Sequence, residues 1–221
     1  MRDLDMSKTA STQNVLVLYS LLLVVWGFYR VLFKLPENIE EVVIKPVLWL
    51  GLLAYFLRKE GVGLRSVGFT SKNLFKSVYL SLGLGVLFVV VAYFSNLAKY
   101  EGRVSFSDFG FTGNALVLTF LVSLITAVVE ETVFRGYIFG RLAQGLKSDF
   151  SANILSSTFW VAIHLPVLVF VYKLSLIDLS LRVVLVAVFG VGSAFLFSRT
   201  RNIVSSILLH VLWSWPIILF R

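Results

Sequence analysis

Ala127-Val128-Val129-Glu130-Glu131-Thr132-Val133-Phe134-Arg135-Gly136 sets two carboxylates and a guanidinium into the continuation of an apolar run that begins near Ala115. An ionisable group at membrane depth costs roughly 2.5–3.5 kcal/mol on insertion scales, and it normally faces a bundle interior or a wet cavity. Three of them so close together mark a helix whose polar side is turned towards other helices. Glu131 and Arg135 are i,i+4, so they share a face and can pair with the acid on the N-terminal side. Glu130 is rotated by about 100° from Glu131, and no cation nearby in sequence neutralises it. One carboxylate reads as structural, the other as free to act as a general base.

The rest of the chain sets that helix in a membrane. Of its 221 residues 58% are hydrophobic and 14% are charged, with a mean hydropathy of +0.89. A soluble domain carries nearer 25% charged residues. Lipid satisfies no backbone hydrogen bonds, so spanning segments are helices or closed barrels. The apolar runs here are too long and too unbroken for alternating barrel strands, which leaves helices. Cysteine is absent, which excludes disulfides, thiolate metal sites and a cysteine nucleophile. The net charge of +8 is spread over many loops rather than gathered in one basic arm, so no nucleic-acid partner is expected, and membrane lipid is.

Residues 1–13 read as a short polar tail. Spans follow at Val15–Phe33 (an anchor by length, not a signal peptide), about Val42–Leu57 with Lys45 and Pro46 near its entrance, and Leu74–Leu97. After a polar and aromatic loop at Lys99–Asn114, a fourth helix runs from Ala115 through the Glu-Glu pair to Leu142. A fifth carries His164 and ends near Tyr172, a sixth covers Leu181–Phe197, and a seventh, Ile203–Phe220, carries His210. The expected fold is all-α, a polytopic membrane bundle of about seven transmembrane helices, with eight as the alternative count. It forms one domain over 1–221, with the motif-bearing core at about 110–215. One side holds Arg2, Lys8, Arg58, Lys59, Arg65, Lys72, Lys76, Arg141, Lys147, Arg199 and Arg201, eleven cations; the other holds Lys34, Lys45, Lys99, Arg103, Lys173, Arg182 and Arg221, seven. The positive-inside rule then puts the N-terminus in the cytoplasm.

The two histidines of the chain both lie in apolar runs. His164 has Trp160 four residues before it, an aromatic on the same face that can wall a pocket. His210 belongs to a polar stripe at i,i+4 spacing, Asn202, Ser206, His210 and Ser214, which turns one wet face of the last helix inward. Hydroxyls in such helices commonly tie helices together at about 0.6 kcal/mol each. As donors, His210 and Ser214 can also hold an oxyanion. A free glutamate and a histidine that activate water, with a second histidine and a hydroxyl on the tetrahedral intermediate, are sufficient for peptide hydrolysis without a covalent intermediate. The same Glu130, His164 and His210 are a zinc-like ligand set with an open position. No H-E-x-x-H spacing supports that use, so no metal or other cofactor is expected, with zinc as the alternative.

These motifs resemble the CPBP intramembrane proteases, also called the CAAX-protease and bacteriocin-processing or Abi family. E-E-x-x-x-R stands as Glu130 to Arg135, followed by Gly136-Tyr137. F-x-x-x-H stands as Trp160 to His164, with Trp replacing Phe, and H-x-x-x-N/D as His210 to Ser214, with Ser replacing the amide or acid. All three occur in order, on the fourth, fifth and seventh helices. The resemblance implies an intramembrane endopeptidase in a plasma membrane, acting on a peptide or lipidated protein; the eukaryotic branch removes the last three residues of prenylated CAAX proteins. It implies Glu130 with His164 as the water-activating pair, His210 with Ser214 as the oxyanion site, and Glu131, Arg135 and Trp160 as support. The alternative on the same fold is a non-catalytic binding protein of the bacteriocin self-immunity type.

Overall fold

The computed structural model describes residues 2–33, 35–105 and 113–219, and every regular element in them is helical. Helix α1 spans Arg2–Leu32 and α2 Glu37–Ile39. A π-helical stretch, Glu40–Ile44, joins α2 to α3, Lys45–Lys59. Helix α4 covers Leu74–Lys99 and α5 Gly113–Glu131, which runs through a π-helix at Thr132–Phe139 into α6, Gly140–Leu146. Helix α7, Asp149–Pro166, is prolonged by a π-helical turn at Val167–Val171; α8 covers Leu176–Thr200 and α9 Ile203–Leu219. Among the described residues seven rods lie near the seven apolar runs, but α3, Lys45–Lys59, is not among the segments long and apolar enough to span. Among the described residues five segments are long and apolar enough to cross a membrane: Thr12–Leu32, Leu74–Ala98, Leu116–Leu146, Asp149–Val171 and Leu176–Thr200. Ile203–Pro216 is a shorter apolar helix. The chain is a polytopic helical membrane protein.

Two details depart from the sequence reading. The stretch read as a polar tail is helical from Arg2 onward, continuous with the first span. Part of the Lys99–Asn114 loop, residues 106–112, lies outside the described residues. The π-helical stretches were not legible in the hydropathy. Two of them adjoin prolines: Pro46 lacks a backbone donor and crowds the Val42 carbonyl inside the first stretch, so that turn widens, and Pro166 directly precedes the stretch at Val167–Val171. The third begins directly after Glu131, and such bulges recur at functional sites.

The outer faces carry what lipid demands. Phe75, Leu176 and Ile177 are more than three-quarters exposed, and no water is needed to satisfy them. Inside, α4 and α5 pack on α9, and α7 packs on α8. Hydroxyls join α4 to α9: Ser81 Oγ donates to the Ser205 carbonyl at 2.7 Å. Close approach also governs Gly136, where a Cβ would stand 2.6 Å from the Val67 carbonyl oxygen. The turn Leu64–Val67 therefore seats on the motif helix only because Gly136 has no side chain.

One end of the bundle is tied together by polar side chains. At the end that holds residues 58–73 and 141–148, Glu60 is saturated: Oε1 accepts from Asn14 Nδ2 at 3.1 Å and from the Tyr137 hydroxyl at 2.5 Å, and Oε2 accepts from Arg141 Nε at 2.9 Å. Arg141 also donates to Ser66 Oγ at 3.2 Å. Nearby, the Asn202 amide donates to the carbonyls of Thr70 and Lys72.

Candidate functional site

A cavity of about 650 Å³ is lined by the last turns of α1, the first turns of α3, one side of α5 from Leu118 to Glu130, Val186 and Phe189 of α8, and the C-terminal parts of α7 and α9. None of the residues of the Glu60 cluster lines it. Glu130, Trp160, His164, His210 and Ser214 line it, so these sequence-predicted residues from three rods converge on one space. Glu131 and Arg135 lie beneath it, fully or almost fully buried.

The buried layer is dense. Glu131 Oε2 lies 3.2 Å from Arg135 Nε, the i,i+4 pair that the spacing predicts, and also accepts from Ser193 Oγ at 2.6 Å. Glu131 Oε1 is 2.8 Å from His210 Nδ1. A carboxylate only accepts, so Nδ1 carries the proton and His210 turns Nε2 the other way. Arg135 lies between two rings, its Cζ 4.4 Å from the Trp160 centroid and 5.5 Å from that of Phe189. A guanidinium stacked on aromatic faces keeps its charge in a site with little water. Arg135 Nη2 reaches the Gly190 carbonyl at 3.3 Å.

His164 is fixed by its own helix. Its Nδ1 lies 2.6 Å from the Trp160 carbonyl, which can only accept, so Nδ1 is the donor and Nε2 is left for the cavity. Trp160 walls both imidazoles, at 4.7 Å from His164 and 5.8 Å from His210, centroid to centroid. Glu130 Oε2 and His210 Nε2 stand 3.9 Å apart. That is too far for a direct hydrogen bond and close enough for one water to touch both.

Glu130 is not the free carboxylate that its neighbours in sequence suggest. Lys45 Nζ, from α3, donates to its Oε1 at 2.6 Å. The same ammonium pairs with Glu41, whose Oε2 also accepts from Thr126 Oγ1 at 2.8 Å. Arg30 and Glu40, both buried, form a further ion pair, and Arg30 lines the cavity. None of Lys45, Glu41, Arg30 and Glu40 was singled out for the site from sequence, and Lys45 was counted among loop charges. The signal was present: a lysine inside an apolar run is itself a mark of a site.

Ser214 is engaged elsewhere. Its hydroxyl donates to the His210 carbonyl at 2.9 Å and lies 2.6 Å from Ser123 Oγ. The stripe on α9 does face inward: Asn202 and Ser206 are fully buried, and Ser206 donates to the Ser193 carbonyl at 3.2 Å. Among the described residues no three His, Asp or Glu side chains are grouped so that they could hold a metal ion.

Residues 112–216 match the model of the family described as type II CAAX prenyl endopeptidase Rce1-like, which is consistent with the CPBP or CAAX-protease family. No curated protein and no solved structure matches the chain.

Proposed function

We propose, for a chain whose residues 112–216 belong with the Rce1-like type II CAAX prenyl endopeptidases, that the cavity hydrolyses a peptide bond of a lipidated substrate with a water activated by Glu130. One observation carries the reading: Glu130 Oε2 and His210 Nε2 face each other across 3.9 Å at the cavity wall, each with its other ring or carboxyl atom already tied down. Glu130 takes one proton from the water, and the hydroxide oxygen bonds to the scissile carbonyl carbon. The tetrahedral intermediate then collapses, the C–N bond breaks, and the proton passes from Glu130 to the leaving amine. His164 works beside Glu130 through its free Nε2.

His210 stabilises the oxyanion from Nε2, which requires a doubly protonated ring; Glu131, 2.8 Å away, is then its counter-ion. Ser214 joins as a second donor only when its hydroxyl turns from the His210 carbonyl into the cavity. Otherwise it braces the helix turn that carries His210. Glu130, His164 and His210 are donor types that zinc takes, but among the described residues they are not grouped as a metal site, and the reaction we propose is metal-free. The apolar walls, Trp26, Trp49, Leu118, Val122 and Trp213 among them, suit a prenyl chain better than a polar peptide. We place the protein in a plasma membrane with its N-terminus in the cytoplasm.

The test is cleavage of a prenylated CAAX peptide and its unprenylated twin by detergent-purified protein, with wild type, Glu130→Gln and His164→Ala compared. The expected result is turnover of the prenylated peptide, kept in chelator and lost in both variants. Loss on chelation would overturn the metal-free reaction. No turnover, with function in cells retained by Glu130→Gln, would give the binding or immunity reading the case.

A further inference from the structure

We infer that Lys45 is a positioning residue of the site: its ammonium claims Glu130 Oε1 and so leaves Oε2 alone to face His210 and the water. The inference rests on the hydrolytic reading above and adds a residue that lies outside the 112–216 match. Lys45 is 4% exposed, yet it lines the cavity. A buried ammonium is tolerated only where its donors are taken up. Two are given to Glu130 and Glu41, and the rings of Trp26 and Trp49 lie 5.3 and 5.7 Å from Nζ, within cation–π range.

The arrangement has a direction. Thr126, one turn before Glu130 on α5, donates to Glu41 at 2.8 Å, so the motif helix itself holds the carboxylate that holds Lys45. A carboxylate free to rotate about its last torsion would share its two oxygens between the cavity and the protein wall. One pinned through Oε1 offers a single lone-pair direction, and that direction meets His210 Nε2. On the far side of the same gap, Glu131 does for His210 what Lys45 does for Glu130: it occupies the inner atom and commits the outer one. Pre-set geometry of this kind supplies rate without tighter substrate binding.

The experiment compares kcat and KM for the prenylated peptide in wild type and Lys45→Met, which keeps length and loses charge. We expect kcat to fall about 100-fold, the order of a general-base contribution, with KM within about twofold. A kcat within about threefold of wild type overturns the inference. Should Lys45→Met fail to insert, Lys45→Cys treated with 2-bromoethylamine rebuilds an ammonium at one position only, because the chain has no cysteine. Recovery of kcat after aminoethylation, and none after S-methylation, supports the role; equal recovery by both removes it. Melting temperatures give a readout apart from activity. Adding Glu130→Gln to Lys45→Met should raise the melting point, since it discharges the orphaned carboxylate; a further fall breaks the pairing. If wild type cleaves nothing, the hydrolytic reading fails by itself, and the melting comparison still decides whether Lys45 holds Glu130.

Discussion

Two ion-paired carboxylates, the half-buried Glu60 and the buried Glu130, stand in different parts of the same bundle and do different things. Both are neutralised by a cation from a distant part of the chain, Arg141 for Glu60 and Lys45 for Glu130. Around Glu60 both oxygens are engaged, by Asn14, Tyr137 and Arg141, and the pair locks α1, α3 and α6 together. Around Glu130 one oxygen is taken, while the other faces an imidazole nitrogen across a gap and a 650 Å³ cavity. An ion pair inside the bundle is thus by itself no sign of function. What marks a site is a charged group fixed on one side and left open on the other.

The same isosteric change at the two positions should separate the roles. Glu130→Gln should lower turnover by about 10⁴-fold, the upper range for a lost general base, while the protein still inserts and melts cooperatively; activity within tenfold of wild type would break the comparison. Glu60→Gln should do the reverse. Leaving Arg141 buried against a neutral amide costs on the order of 3 kcal/mol, seen as a lower denaturant or thermal midpoint, with kcat per folded molecule unchanged. A loss of kcat larger than the loss of folded protein would mean that the two regions are coupled.

Smaller changes sharpen the contrast within the site. Ser193→Ala removes a donor to Glu131, a hydrogen bond to a charged group worth about 1.5–3 kcal/mol. It should cost stability and, because Glu131 holds His210, also lower kcat, measured on the prenylated peptide. Ser214→Asn, which restores the amide of the resembled motif, should have the least effect, a change of less than about 1 kcal/mol in either direction, because the serine hydroxyl is committed to the His210 carbonyl and Ser123. A gain above tenfold would show that the oxyanion site lacks a donor in the natural chain.

Much of the site was legible because lipid makes polar residues conspicuous. Glu130, Glu131, Arg135, His164 and His210 stand out against apolar runs, and the i,i+4 rule alone pairs Glu131 with Arg135. The stripe from Asn202 to Ser214 likewise announced its inward face by spacing. Lys45, Glu41, Arg30 and Glu40 were missed for one reason: they sit near the start or end of a helix, where charges ordinarily meet water and are counted as loop residues. Ser193 was missed because a hydroxyl in an apolar run says nothing about its partner.

By itself the sequence determined that this is a helical membrane protein, roughly where its apolar helices run, and that three of them carry polar groups with no business in lipid. It could do so because helical period and hydropathy are local properties, readable over one or two turns. Only the tertiary structure decided that Glu130 is paired, that His210 answers to Glu131, and that no residue of the Glu60 cluster lines the cavity. Those are contacts between residues some eighty positions apart, and no local pattern records which charge a buried carboxylate will meet once the helices have packed.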